Sequence, residues 1–283
     1  MSITLIVVVL LAIVVGLSLG LLGGGGSILT VPLLTYVAGM DPKEAIAASL
    51  FVVGTTSVVS TFAHARKGNV QWRTGLIFGA ASMAGAFLGG LLGGFIPGVV
   101  LMIAFALMMI ATAGAMLRGR KKTASTGEKK HLPLGKILAE GLVVGLVTGL
   151  VGAGGGFLVV PALALLGGLA MPVAVGTSLL VISMKSFAGL AGYLTSVSLD
   201  WPLILAVTAA ALIGALIGAR LTSVVPEQAL RKGFGVFVLV MGVFVLSQEL
   251  PQPWGLAAVG LSVAIALGFA FRHRARTRQP INA

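Results

Sequence analysis

The chain predicts an all-α polytopic membrane protein: two inverted-topology five-pass repeats with broken half-helices, plus one extra C-terminal transmembrane helix. Three observations carry that prediction. Only 9% of the 283 residues are charged and 58% are hydrophobic, whereas a water-soluble domain needs about 25% charged residues to keep its surface hydrated. The sequence repeats itself at a spacing of 129 residues. Each copy holds a glycine-rich break followed by an apolar segment too short to span a bilayer alone.

The same composition excludes several functions. With no cysteine, disulfides, thiol nucleophiles and thiolate metal sites are all absent. The net charge of +12 does not imply nucleic acid, because 11 of the 19 Lys and Arg lie in two short segments, Arg118 to Lys136 and Arg272 to Arg278. Basic clusters beside apolar stretches set topology and touch anionic lipid. Membrane lipid is therefore an expected partner and nucleic acid is not.

Apolar runs place the elements in order. The first repeat (1–117) reads Ile3 to Leu22, a short segment Ile28 to Gly39, then Ala45 to Ala65, Thr74 to Phe95 and Val99 to Leu117. A basic loop (118–136) follows. The second repeat (137–248) reads Ile137 to Val151, a short segment Phe157 to Leu169, then Val173 to Thr195, Leu203 to Val225 and Gly233 to Ser247. Residues 254–271 form the extra span and 272–283 a basic tail. The first stretch lacks the basic start and cleavage site of a signal peptide, and its Gly-rich exit recurs in mid-chain, so it counts as fold. The halves align without a gap: GLLGGGGSILTVP (Gly20 to Pro32) lies over GLVGAGGGFLVVP (Gly149 to Pro161). Ser49 falls on Ser178, Ser57 on Ser186, Trp72 on Trp201, Gly85 on Gly214 and Pro97 on Pro226. Such duplication is a common mark of transporters.

The short segments decide topology. At about 1.5 Å per residue they reach only about 20 Å. If each completes a crossing with its Gly-rich lead-in, a half has five passes and the second half is inverted; if each is re-entrant, the repeat is parallel. Inversion puts 17 of the 19 basic residues on the cytoplasmic side, leaving Lys43 outside and Lys185 within a span. It agrees with the bias of cytoplasmic loops toward Lys and Arg. The N-terminus is then outside and the C-terminus cytoplasmic.

The candidate site begins at the breaks. Gly23, Gly24, Gly25 and Gly26 with Ser27, and Gly154, Gly155 and Gly156 in the second copy, disfavour continuous helix at about 1 kcal/mol per glycine. Such backbone inside a membrane must line a cavity or be buried in protein. The helix start after each break offers free N–H groups and a positive dipole end, which suit an anion. The structural alternative is close helix packing, which accounts for Gly85, Gly89, Gly214 and Gly218.

Lys185 lies mid-span with neutral Thr56 as its repeat partner. A cation there costs about 2.5–3.5 kcal/mol on the insertion scale. With no carboxylate at comparable depth, a substrate anion is the simplest partner; snorkelling is the alternative. Ser49, Ser57, Thr177 and Ser178, with Thr55, Thr56, Ser183 and Ser186, add hydroxyls that donate either to anion oxygens or to neighbouring backbone. No intramembrane His cluster, paired carboxylate or nucleotide-binding loop is present, so neither cofactor, metal nor enzymatic activity is expected.

The duplicated G-x-x-G-x-G-G-[GS]-x-x-x-V-P block, with the Ser-Leu pair and the Trp after it, resembles the sulfite exporter TauE/SafE family from about Gly16 to Leu246. The matching positions are Gly23, Gly25, Gly26, Pro32, Gly152, Gly154, Gly155, Pro161, Ser49, Thr177 and Ser178. Ala48 replaces threonine in the first copy, which makes any role of Thr177 one-sided. The resemblance implies a transporter of the bacterial inner membrane that exports sulfite, sulfoacetate or a similar organosulfur or carboxylate anion. The expected function is secondary export of a small anion by alternating access; the alternative is a passive anion channel. Proton coupling and homo-oligomer formation stay open.

Overall fold

The computed structural model describes residues 3–22, 25–118, 134–152, 154–165, 169–221 and 227–250. Gly23, Gly24, nearly all of the basic loop, the extra span 254–271 and the tail lie outside these described residues. All regular structure among them is helical. The first half comprises α1 (Ile3–Leu22), a short mixed helix, α3 (Pro42–Arg66), α4 (Trp72–Phe95) and α5 (Gly98–Arg118). The mixed helix passes through a 3-10 turn (Gly25–Leu29), one α turn, α2 (Thr30–Pro32), and a π turn (Leu33–Val37). The second half comprises α6 (Leu134–Val151), α7 (Gly156–Leu165), α8 (Met171–Tyr193), α9 (Trp201–Leu221) and α10 (Glu227–Glu249). Six of these helices are long and apolar enough to cross a membrane.

Local chemistry explains the boundaries. Asp41 caps α3, its carboxylate accepting from Lys43 N at 2.9 Å, and Pro42 opens the first turn where no N–H is needed. Lys43 Nζ in turn donates to Gly94 O at 2.8 Å, placing a cation on the last turn of α4. Where the sequence predicts an unwound Gly23 to Gly26, Gly25 and Gly26 already belong to the 3-10 turn. Large apolar side chains such as Leu10, Leu76, Phe87, Phe95 and Leu216 point outward, while Ser49, Thr56, Ser57, Thr177, Ser178 and Lys185 are buried. This polarity suits a bilayer, where hydrocarbon is the solvent.

Small residues bring the two halves together reciprocally. A β-carbon at Gly16 of α1 would collide with Ala211 O of α9, and one at Gly145 of α6 would collide with Ser82 O of α4. Gly85 abuts Leu142 O while Gly214 abuts Ile13 O. Each contact recurs with both partners moved by 129 residues and the halves exchanged, as in a two-fold arrangement. Helix directions follow from the same contacts. Gly16 and Gly20 of α1 meet Ala211 and Ala215, so α1 and α9 run parallel; Gly75, Gly79 and Gly93 of α4 meet Thr177, Met184 and Tyr193, so α4 and α8 do too. By contrast, α3 and α8 run antiparallel, with Leu50 near Gly189, Gly54 near Phe187 and His64 near Gly176.

Candidate functional site

Three of the second copy's glycines adopt left-handed backbone: Gly152 (φ +69°), Gly154 (φ +57°) and Gly155 (φ +64°). An L side chain there costs roughly 1–2 kcal/mol, which is why glycine recurs in this turn. The turn stops α6 and starts α7 at Gly156. Gly155 O accepts from Leu158 N and Val159 N, both at 3.0 Å. The first N–H groups, at Gly156 and Phe157, have no carbonyl within the helix to bond, and they mark its positive end.

Lys185 lies against this helix start. The side chain is 1% exposed, and Nζ donates to Thr148 Oγ1 at 2.8 Å. Thr148 Oγ1 donates its own hydrogen bond to Val144 O at 2.7 Å, leaving its lone pairs to the lysine. A β-carbon at Gly155 would strike both Lys185 Nζ and Thr148 Cγ2. Thus α6, α8 and the start of α7 converge on one ammonium. No carboxylate is buried among the described residues. A helix N-terminus and an ammonium have the same electrostatic sign, so side by side in low dielectric they form a site that a negative charge relieves.

The two breaks meet beside it. Gly154 packs on Ser27, which is fully buried, and on Val53. Gly152 packs on Ile46, and Ser49 Oγ donates to Gly152 O at 3.0 Å, tying α3 to the second break. Val53 and Ile182, which are repeat equivalents, share a buried cluster with Leu19. Ser27, Gly154, Gly155 and Lys185 are therefore brought into one region near the middle of α3 and α8. Other predicted hydroxyls are engaged elsewhere: Thr177 Oγ1 accepts from Gln71 N at 3.0 Å, and Ser178 Oγ donates to Val175 O at 2.7 Å. Ser57 Oγ is buried with no hydrogen-bond partner, at a cost of about 1–3 kcal/mol. Gly25 and Gly26 lead into the mixed helix, and Gly23 and Gly24 lie outside the described residues.

Thr148 escapes the sequence reading because it does not recur: its repeat position holds Leu19. The signal that could have found it is that mismatch, which accompanies the Lys185/Thr56 mismatch in the same half. Tyr193 is a second omission. Its hydroxyl donates to Leu150 O, fastening the last turn of α6 just before the break, and Gly93 makes room for the ring.

Comparison with known proteins points to the same class of molecule. Residues 8–245 match the family described as Sulfite exporter TauE/SafE. A "Probable membrane transporter protein" of Xylella fastidiosa (strain 9a5c) is 35% identical, the match covering 82% of this chain and 91% of that protein. The "Probable membrane transporter protein YdhB" of Bacillus subtilis (strain 168) is 28% identical over 84% of this chain and 99% of its own. The "Probable membrane transporter protein MJ0441" of Methanocaldococcus jannaschii is 30% identical over 83% and 94%. No solved structure matches. With its outward apolar faces, doubled breaks and family match, the chain belongs to the TauE/SafE family of multi-pass membrane transporters.

Proposed function

We propose that the protein exports a small anion, such as sulfite, sulfoacetate or a related organosulfur or carboxylate anion, across the cytoplasmic membrane by alternating access. The observation that carries this reading is the buried Lys185 side chain, whose Nζ lies at the start of α7, with no buried carboxylate among the described residues. A single positive charge in a dry site favours a ligand that brings one negative charge to it. The repeats are inverted in this proposal. Support comes from the antiparallel run of the equivalent helices α3 and α8, since a parallel repeat would align them. The anion then binds where the breaks meet, and the two halves rock around it.

The test is flux in proteoliposomes. Wild-type protein should move radiolabelled sulfite or sulfoacetate against its gradient when a proton gradient is imposed, and Lys185→Met should reduce flux to background while insertion is unchanged. Undiminished flux in Lys185→Met would overturn the assigned site. Flux that only ever runs downhill, whatever gradient is imposed, would remove the coupled-export reading and leave passive anion flux, as through a channel.

A further inference from the structure

We propose, resting on the anion-transport reading above, that Ser57 and Ser186 are the paired hydroxyl donors of the binding site, one from each repeat. Both side chains are buried, at 0% and 1% exposure, and both Oγ atoms lack a hydrogen-bond partner. Their neighbours behave differently. On the same two helices Thr56, Ser60, Thr61, Ser178 and Ser183 each return their hydroxyl to a carbonyl of their own helix. That acceptor is the default for a serine inside a helix, and Ser57 and Ser186 do not take it. Unpartnered hydroxyls also occur at Thr30, Thr35 and Ser82, but the repeat positions there hold Val159, Ala164 and Ala211. Ser57 and Ser186 are equivalent, so both halves leave the same buried donor unspent.

Their placement suits a shared ligand. The equivalent residues Val53 and Ile182 lie in one cluster, and each serine stands one turn further along its own helix. Because α3 and α8 run antiparallel, with Leu50 near Gly189 and His64 near Gly176, residue 57 lies at about the level of residue 183, so the two serines stand within about a turn of each other along the pair. Ser186 directly follows Lys185, whose ammonium lies at Gly155. Hydroxyl donors on two packed helices, within about a turn of each other, can share one bound anion. Ser49 and Ser178 take no part in this assignment, since each hydroxyl already donates to a backbone carbonyl.

The experiment uses the full chain in proteoliposomes with sulfite and sulfoacetate as probes. Ser57→Ala and Ser186→Ala should each raise KM for the transported oxyanion about tenfold, with a larger loss in the double variant. Their unfolding temperatures should stay level or rise, because the deleted hydroxyl has no partner in the protein. Ser57→Thr and Ser186→Thr, which keep a donor, should retain most of the affinity. Unchanged KM in both alanine variants, or a lowered unfolding temperature that accounts for the loss, would overturn the assignment. If Lys185→Met abolishes flux while both alanine variants match wild type, the serine assignment fails and the anion reading stands. A wild type that moves none of the probes removes both.

Discussion

Gly155 leaves no room for a side chain on either count that matters. Its φ of +64° is left-handed, and the added β-carbon would meet Lys185 Nζ and Thr148 Cγ2 together. Gly155→Ala is therefore expected to displace the ammonium from Thr148, lowering transport at least about tenfold and stability by roughly 1–3 kcal/mol. Gly114→Ala is the control, since nothing lies within 4 Å of a β-carbon there and α5 should be slightly stabilised. Thermal unfolding and flux on the same preparations check both; an unimpaired Gly155→Ala would show that Lys185 does not depend on that close approach. Thr148 acts through Lys185. Thr148→Val should impair transport while Thr148→Ser restores it, because only the hydroxyl accepts from the ammonium.

At the scale of elements, the halves are joined by glycine seams rather than by large apolar knobs. Within hydrocarbon, burial of apolar surface gives no advantage to helix association, so close backbone approach and dispersion must supply it. Gly85 against Leu142 O and Gly214 against Ile13 O are one contact made twice. Gly85→Val and Gly214→Val should each destabilise by about 1–3 kcal/mol and by similar amounts, as read by unfolding in mixed micelles. A large difference between them would mean that the two seams are not equivalent. The breaks differ more. One leads into a helix of 3-10, α and π turns, and the other into a regular ten-residue helix. Equivalent sequences here have unequal local backbones.

For the whole molecule, the reciprocal contacts and the opposed directions of α3 and α8 favour inversion, and the chain is ready for a direct test. It has no cysteine, so a single introduced thiol can be labelled without background. Lys67→Cys and Thr195→Cys stand just past the ends of α3 and α8. An impermeant maleimide added to intact cells should label Thr195→Cys, and Lys67→Cys only after permeabilisation. Labelling of both from the same side would sink the inverted arrangement, because a parallel repeat puts those two ends on one face.

Helix content, the duplication, the glycine breaks and the lone deep lysine were all legible in the chain by itself. Each depends on properties local to a residue or its near neighbours: hydropathy over a span, the backbone cost of glycine, the price of a buried charge. What the hydroxyls do was not legible. Ser49 and Ser57 look alike in sequence, yet one is spent on Gly152 O and the other is buried without a partner. The pairing of Lys185 with Thr148 across 37 residues was equally hidden, since nothing near either residue announces the other. A hydrogen bond needs an acceptor at about 3 Å, and in a helical membrane protein that acceptor is supplied by whichever helix packs alongside. The sequence alone determined that there are two breaks and one buried cation; tertiary packing decided that the breaks meet beside it.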